Sequence, residues 1–232
     1  AGENIAGRWN AEKKRKILES RVKGTRLLCE TIARLMPLPQ TLVCASAIGI
    51  YGDRGEEWLT EASKPGQGFL SEVCTQWEAA AEAARAQGIR VVHLRFGVVL
   101  SAKGGALAKM LLPFKLGLGG KAGSGAQYMS WISLEDAADA IVHALEKTNL
   151  AGPVNVVAPQ PVTNLEFTKS LGKVLGRPTI LPMPAFAARL AFGEMADALL
   201  LSSTRVVPKK LQQSGFAFKH ADLEGALRHA VG

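Results

Sequence analysis

The feature that most constrains the fold is a pair of short apolar segments joined by a helical crossover. Residues 41–45 lack a polar face, which is typical of a strand buried on both sides of a parallel sheet. Residues 69–86 then have helical spacing, Gly88 is placed to cap that helix, and residues 90–95 form the next strand. Two neighbouring parallel strands need such a long connection, so the pattern predicts a right-handed βαβ unit.

The rest of the chain alternates in the same way. The further predicted segments are helix 11–35, loop 117–125, a helix opened by the capping-box pattern at 133–136, strand 154–157, a helix opened by the capping box at 163–166, an apolar helix at 184–200, and short helices after Pro208 and Asp222. This alternation predicts an α/β fold with a parallel sheet up to residue 158 and a smaller, mostly helical lobe over 159–232.

Composition excludes several classes of protein. Hydrophobic residues make up 47% and charged residues 21%, which fits a globular chain and excludes a disordered one. We find no apolar run of about 18 residues and no signal peptide, so we expect no membrane association. The three cysteines and four histidines have neither disulfide nor ligand spacing, so we expect no metal site. A reducing compartment follows, either the cytoplasm or an organelle stroma or matrix after removal of a transit peptide.

The formal charge of +8 is concentrated at only one place, residues 13–16, which contain three lysines and one arginine. A nucleic-acid footprint needs clustered charge together with a recognisable motif, and the sequence contains no such motif. We interpret the run as a solvated helix face and expect no nucleic-acid partner.

Ten short motifs share one order and spacing with a known family. They are AGENI at 1–5, SRVKGT at 20–25, SAIGIYGD at 46–53, WEAA at 77–80, LRFGVVL at 94–100, GGKAGSG at 119–125, WISLED at 131–136, FGEMAD at 192–197, PKKL at 208–211 and GFAF at 215–218. Together they resemble the YfcH-like group of extended short-chain dehydrogenases/reductases, which is sugar-nucleotide epimerase-like and carries its own C-terminal domain. The resemblance implies a Rossmann-like doubly wound parallel sheet over 1–158 and a small substrate or C-terminal domain over 159–232.

One segment of the family pattern has no counterpart in this sequence. Family members begin with a strand, a G-x-x-G-x-x-G turn and a helix, where a pyrophosphate approaches a helix N-terminus. This sequence opens at the position that matches the end of the fourth family strand. We therefore expect it to be a fragment that lacks roughly 60 residues or more, at about 30 residues per βαβ unit. The sheet would then be incomplete, with an exposed edge.

The three catalytic positions of the family are altered. In the family, a lysine ammonium lowers the tyrosine pKa, so that the phenol can move a proton as hydride moves. Aligning Glu78 with the family's glutamate places Cys74 at the lysine position and Leu70 at the tyrosine position. Aligning Tyr51 with the family's Tyr-Gly pair places Ala47 at the serine position. Standard dehydrogenase or epimerase chemistry therefore lacks its usual groups.

By resemblance, the cofactor is NADP. The residues implied to contact it are Ala1, Gly2, Lys16, Arg21, Ser46 and Val98. Ser46 and Val98 follow strands whose carboxyl ends bind ligands in open α/β sheets. Arg21 and Lys16 suit a phosphorylated dinucleotide, because both cations bind phosphate. The alternative for Arg21 is a surface helix cation, and Ala1 and Gly2 can simply begin a loop.

The candidates for remaining chemistry are Ser46, Tyr51 and Glu3. By resemblance, Glu3 lies at the mouth of the cleft. It acts there as a general acid or base, or it is only a carboxylate of a loop or a helix cap. Tyr51 supplies a phenol or packs in the core, and Ser46 hydrogen-bonds substrate or only backbone. Cys74 is either a thiol that faces the nicotinamide or a buried inert cysteine. The loop at 119–125 can approach a substrate because glycines leave its backbone open.

These observations predict an NADP(H)-binding, short-chain dehydrogenase-like protein. Its chemistry would be that of a nucleoside-diphosphate-sugar epimerase or an oxidoreductase acting on a small molecule such as a nucleotide sugar. A non-catalytic dinucleotide-binding scaffold or redox sensor is the alternative, because the serine, tyrosine and lysine positions are altered. The sequence leaves open whether the chain forms a homodimer.

Overall fold

The computed structural model describes residues 2–232 and contains a parallel sheet flanked by helices. The helices are α1 (Ala11–Ile32), α2 (Phe69–Ala79), α3 (Glu82–Ala86), α4 (Gly105–Lys115), α5 (Leu134–Glu146), α6 (Asn164–Leu175), α7 (Ala185–Phe192), α8 (Lys209–Gln213) and α9 (Leu223–Val231). The strands are β1 (Thr41–Ala47), β2 (Trp58–Leu59), β3 (Arg90–Phe96), β4 (Val98–Leu100), β5 (Tyr128–Met129), β6 (Trp131–Ser133), β7 (Gly152–Val156), β8 (Val162–Thr163) and β9 (Arg205–Val206).

The central sheet has the order β1-β3-β7, and both neighbouring pairs are parallel. Helices α2 and α3 lie in the connection between β1 and β3, as the apolar pattern predicts. One face of the sheet packs against a cluster that includes Cys29 of α1 and Ala84 of α3. The other face packs Leu94 and Val154 against the alanines of α5. Burial on both faces explains why these strands have no polar side.

Side-chain hydrogen bonds fix the helix ends. Asn10 accepts from the backbone N–H of Lys13 and caps α1, and Thr163 and Glu166 form the predicted capping box of α6. The guanidinium of Arg90 donates to the carbonyl of Ala144 in the last turn of α5 at 2.9 Å and to that of Leu150 beyond the helix at 2.7 Å. A strand residue therefore terminates a helix on the opposite layer.

The second predicted capping box is only half formed. Ser133 accepts from the backbone N–H of Asp136, as expected. The Asp136 carboxylate instead accepts from the backbone N–H groups of Lys219 (2.8 Å) and His220 (3.1 Å). Asp136 is fully buried, so these two bonds satisfy a carboxylate that would otherwise be costly to bury. Its role is to attach the segment before α9 to α5.

Two predicted helices are interrupted. The helix expected over 69–86 breaks between α2 and α3, where the Ala81 N–H bonds to the Glu78 carbonyl three residues earlier at 3.2 Å. The helix expected over 184–200 ends as α7 at Gly193, whose φ of +62° stops the helix, and residues 196–201 form a separate π-helical turn. Sequence periodicity continues across both breaks, so it does not reveal them.

The C-terminal part of the chain is interleaved with the parallel sheet region. Strand β9 pairs in parallel with β2, and α8 packs on β7. A shared apolar core joins Leu100 and Trp131 to Phe167, Leu171 and Leu227. The division at residue 158 remains a prediction. Within residues 2–232, no helix combines the length and apolar character needed to cross a membrane.

Candidate functional site

Polar side chains meet where β1 and β3 end. The Ser46 hydroxyl donates to Glu78 Oε1 at 2.7 Å. Arg95 Nε donates to the same oxygen, and Arg95 Nη2 donates to Glu78 Oε2, each at 2.8 Å. Both members of this two-pronged ion pair are largely buried, with side-chain exposures of 7% and 14%. The pair therefore joins strand β3 to helix α2 with little competition from water.

The network continues from Arg95 into the core. Arg95 Nη1 donates to the Tyr51 hydroxyl at 2.9 Å, and that hydroxyl donates to Asn155 Oδ1 at 2.7 Å. The backbone N–H of Asn155 in turn donates to Glu61 Oε1, which also accepts from the backbone N–H of Lys210. A continuous buried chain of hydrogen bonds thus links β1, α2, β3, β7 and the start of α8.

Burial and these partners set the protonation of the network. Burial acts to raise the pKa of Glu78, but hydrogen bonds from Arg95 and Ser46 outweigh it and hold that pKa below the ordinary value of 4.5. Burial raises the pKa of Tyr51, and the nearby Arg95 charge only partly offsets this. Burial lowers the pKa of His93. At neutral pH the network therefore contains an ionised Glu78 and a neutral Tyr51, with a neutral His93 nearby.

A second group of residues lies where the chain enters α1. Arg21 Nη1 donates to the carbonyl oxygens of Glu3 (3.1 Å) and Ile17 (3.0 Å), and the guanidinium lies 5.3 Å from the Trp77 ring centroid. A Cβ on Gly2 would stand only 2.9 Å from Arg21 Cζ. Absence of a side chain at Gly2 is thus what lets the guanidinium approach the backbone there.

The residues that the resemblance aligns with the family's catalytic positions lie together. Cys74 belongs to an apolar cluster against which Ala47 packs, so the residues aligned with the family's lysine and serine lie in one place. Leu70 Cβ lies 3.4 Å from where a Cβ on Gly49 would be, just beyond β1. Cys74 is 4% exposed, and burial raises its pKa to about 11. Its thiol therefore stays protonated at neutral pH, beside an apolar Leu70 that has no proton to move.

The structure places the predicted catalytic residues in different environments. Ser46 is buried and bonded to Glu78. Tyr51 has no exposed surface, and its hydroxyl is bonded on two sides, which fits the packing alternative; a catalytic role for its phenol stays a prediction. Glu3 forms an ion pair with Lys13 at 2.5 Å, and this hydrogen bond lowers the pKa of the partly exposed Glu3 carboxylate.

The predicted cofactor residues are also divided. Gly2 and Arg21 lie side by side, whereas Lys16 is on the exposed side of α1 and pairs with Glu12 at 2.7 Å. Val98 begins β4, which pairs in parallel with β6. Ala1 lies outside the described residues. The ion pair at Lys16 shows that its charge already has a partner in this structure.

The network contains residues that sequence reasoning missed. Arg95 and Asn155 are polar positions within the apolar strands β3 and β7, and both are buried. A charged residue inside a strand of a fully buried sheet needs a polar partner, so Arg95 was a sequence signal for a buried polar network. Glu61 gave no comparable signal, because it lies in a polar loop.

An open cleft of about 800 Å³ between α1 and α2 is a separate feature, and Ser46, Cys74 and Arg21 do not line it.

Contacts with later segments hold the glycine-rich loop: Met183 pairs with it through backbone hydrogen bonds to Lys121 and Gly123, and the Asn164 side chain accepts from the backbone N–H of Ala122. Gln127 is buried and donates to the carbonyl groups of Ala122 and Leu200. Trp131 is a core residue, whereas Tyr128 is partly exposed. Tyr128 lies against the Arg205 guanidinium, which is also stacked on Trp58 at 3.6 Å. Of these two aromatic residues that follow the loop, Tyr128 is therefore the one that a ligand could reach.

The parallel sheet, the flanking helices and the polar groups at the strand ends define a Rossmann-like α/β protein. Comparison of the sequence with family models then specifies the family. Residues 1–157 match the NAD dependent epimerase/dehydratase family, and residues 183–230 match a domain of unknown function, DUF1731. The chain belongs to the NAD dependent epimerase/dehydratase family. The predicted resemblance to epimerase-like extended short-chain dehydrogenases/reductases is confirmed, and so is the Rossmann-like fold.

Relatives support this assignment over nearly the whole chain. Epimerase family protein Mb2239 of Mycobacterium bovis is 45% identical over 231 residues, which are 99% of this chain and 76% of that protein. The crystal structure of human epimerase family protein SDR39U1 (isoform 2) with NADPH has a TM-score of 0.93 at 36% identity, covering 99% of this chain and 79% of that one. The nucleoside-diphosphate sugar epimerase of Corynebacterium glutamicum has a TM-score of 0.80 at 37% identity, covering 98% and 45%.

Proposed function

We propose that this chain binds NADP(H) and acts as an epimerase or oxidoreductase on a small molecule of the nucleoside-diphosphate-sugar class. The observation that carries the proposal is the juxtaposition of Gly2 and Arg21. A position without a side chain, next to a half-buried guanidinium, fits an anionic, phosphorylated dinucleotide. The presence of NADPH in the related human structure supports the choice of cofactor.

The residues around this position would hold the cofactor and exclude water. Arg21 would bind a phosphate group, and Gly2 would leave its guanidinium room beside the backbone. Trp77 supports the guanidinium from one side, and its indole N–H is fixed by Thr25 at 2.9 Å. When bound, NADP(H) would supply or accept a hydride.

Proton transfer must differ from the usual family scheme. The Cys74 thiol holds its proton at neutral pH, and Leu70 has none to give. Among the predicted catalytic residues, Glu3 has a partly exposed, ionised carboxylate and is the candidate base, although its ion pair with Lys13 lowers its pKa and makes it a weak one. Ser46 would orient a substrate oxygen, or act only by keeping Glu78 in place.

A second candidate function is a dinucleotide-binding protein without catalysis. The observation that favours it is the cluster of Ala47, Leu70 and Cys74 at the positions of the catalytic serine, tyrosine and lysine. Such a scaffold or redox sensor would respond to the bound cofactor rather than through a reactive thiol, because the thiols of Cys29, Cys44 and Cys74 are buried.

The test is a titration of NADPH, with NADH alongside, followed by nicotinamide fluorescence on the natural protein. We expect saturable binding with a preference for NADPH. Arg21→Ala should weaken NADPH binding about tenfold or more, as expected for loss of a hydrogen bond to a charged group. Lys23→Ala is the matched control, since Lys23 lies on the same helix and pairs with Glu19 at an exposed position. Lys16→Ala tests the other predicted cation.

The outcomes separate the alternatives. Absence of NADPH binding by the folded protein, or equal losses in the Arg21 and Lys23 variants, would overturn the cofactor assignment. If binding is confirmed, a screen of nucleotide sugars decides between the two functions. Turnover supports the enzyme, whereas tight binding without turnover supports the scaffold. The double variant Leu70→Tyr with Cys74→Lys should then increase hydride transfer only if the family geometry persists at these positions.

A further inference from the structure

Three potential metal ligands meet on the face of the molecule formed by α5 and α9. Glu135 lies in the first turn of α5, His220 lies just before α9, and His229 lies in its last turn. Glu135 Oε2 is 3.3 Å from His220 Nε2 and 3.6 Å from His229 Nε2. The three ligand atoms are all within 4.8 Å of one another. Sequence spacing does not reveal this group, because Glu135 and His220 are 85 residues apart.

The distances match the spacing of ligand atoms around one metal ion. Zinc bonds to imidazole and carboxylate at about 2.0–2.2 Å, which separates neighbouring tetrahedral ligand atoms by about 3.3–3.5 Å. The two carboxylate–imidazole distances are close to that separation. The rings of His220 and His229 stack at 4.4 Å with an angle of 26°, and the Nε2 atom of each ring lies toward Glu135 Oε2.

The backbone around the group is firmly held. The buried Asp136 carboxylate accepts from the backbone N–H groups of Lys219 and His220, which fixes the segment that carries the first imidazole. Asp222 caps α9 through the backbone N–H of Gly225, which fixes the helix that carries His229. A site whose ligands are positioned before the ion arrives loses less conformational entropy on binding.

Local charge also favours a cation. Besides Glu135, the carboxylates of Asp136 and Asp139 lie on the same turn region of α5. One ammonium, that of Lys219, bonds to Glu135 Oε1 at 2.7 Å and to Asp139 at 2.9 Å. It therefore occupies the carboxylate oxygen that faces away from the histidines and leaves Oε2 toward them.

We propose that Glu135, His220 and His229 bind one divalent transition-metal ion, and that zinc fits the site best. Two imidazoles and one carboxylate favour zinc over magnesium or calcium, which prefer oxygen ligands alone. Water would complete a tetrahedral set of ligands. The ion would join α9 to α5 and stabilise the C-terminal part of the chain. This role is independent of the cofactor and of the proposed reaction.

The test uses zinc itself as the probe, titrated by calorimetry into the natural protein after treatment with a chelator. We expect one zinc ion per chain and a raised thermal midpoint. His229→Ala and Glu135→Gln should each weaken zinc binding at least tenfold. His143→Ala is the matched control, because His143 lies on α5 but bonds to Ser214 away from the group. His229 is well exposed, so its variant should fold normally.

A cobalt titration provides a second readout. Co²⁺ at this site should give visible bands of a nitrogen- and oxygen-ligated ion without a strong thiolate charge-transfer band, since the cysteines are buried. Equal zinc affinity in wild type, His229→Ala and Glu135→Gln would overturn the proposal. So would a titration that shows no zinc binding or a stoichiometry other than one ion per chain. A thiolate band would also overturn it, because it would place the ion at a cysteine.

Discussion

Glu78 and Arg95 share two parallel hydrogen bonds of 2.8 Å, one to each carboxylate oxygen, although they belong to different elements. Ser46 donates to the same carboxylate, and Tyr51 accepts from the same guanidinium. The strand ends that would face a ligand are thus held by one ion pair beneath them. Rigid support of this kind keeps neighbouring binding groups in place.

Glu78→Gln should strongly destabilise the protein. The change leaves Arg95 buried without a counter-charge, and breaking one partner of a buried pair costs about 3–5 kcal/mol. Equilibrium unfolding in urea measures the loss. Glu224→Gln is the control, because Glu224 forms exposed ion pairs with Lys173 and Arg228 and should matter far less. Similar losses in both variants would contradict the importance of burial at Glu78.

The same ion pair predicts a response to acid. The folded-state pKa of Glu78 lies below its ordinary value of 4.5, so the unfolded chain takes up the proton first as pH falls. The stabilisation is therefore present above about pH 4.5 and is lost as pH falls through the folded-state pKa. Unfolding free energies should fall more steeply below pH 4.5 in wild type than in Glu78→Gln. Parallel curves would show that Glu78 does not carry this dependence.

The cysteines should be unreactive in the folded protein. Burial raises the pKa of Cys44 and of Cys74 to about 11, and it also raises the pKa of Cys29. A thiol reagent at about pH 8 should label none of the three in the native state and all three in guanidinium chloride. Rapid native labelling of Cys74 would instead support a redox role for that thiol.

Replacing either of two glycines with alanine should change the stability of the protein, but in opposite directions. Gly24 lies on the exposed face of α1, and an added Cβ there would meet open space, so Gly24→Ala should stabilise the protein by about 0.5–1 kcal/mol. At Gly66 a Cβ would overlap the carbonyl of Tyr51, so Gly66→Ala should destabilise by about 2–3 kcal/mol. Urea unfolding of both variants checks the pair. A neutral Gly66 variant would show that this turn can shift.

Much of the fold follows from local sequence signals. The apolar runs of β1 and β3 and the capping box at Thr163 are local patterns, and the structure contains them where the sequence predicts. The breaks after α2 and α7 were missed, because apolar spacing continues across them. The pairing of β2 with β9 was also missed, since two-residue strands have no periodicity to detect.

The site was less predictable than the fold. Family resemblance indicated Arg21 and Ser46, but it did not reveal that Ser46 serves Glu78. The bond from Tyr51 to Asn155 joins residues 104 positions apart, and no local pattern encodes such a partner. The charged Arg95 within an apolar strand was the available clue, because a buried charge requires a counter-charge somewhere in the fold.

The parallel pairing of β2 with β9 also affects how the chain matures during synthesis. Strand β2 cannot acquire its partner until Arg205 and Val206 have left the ribosome. The loop that contains Tyr51 and Glu61 must therefore wait for the segment at residue 205, although it is made well before that segment. Contacts over such long separations slow folding and leave nascent apolar surface uncovered. A ribosome-bound chain that ends before residue 205 should consequently be the stage at which this protein depends most on chaperones.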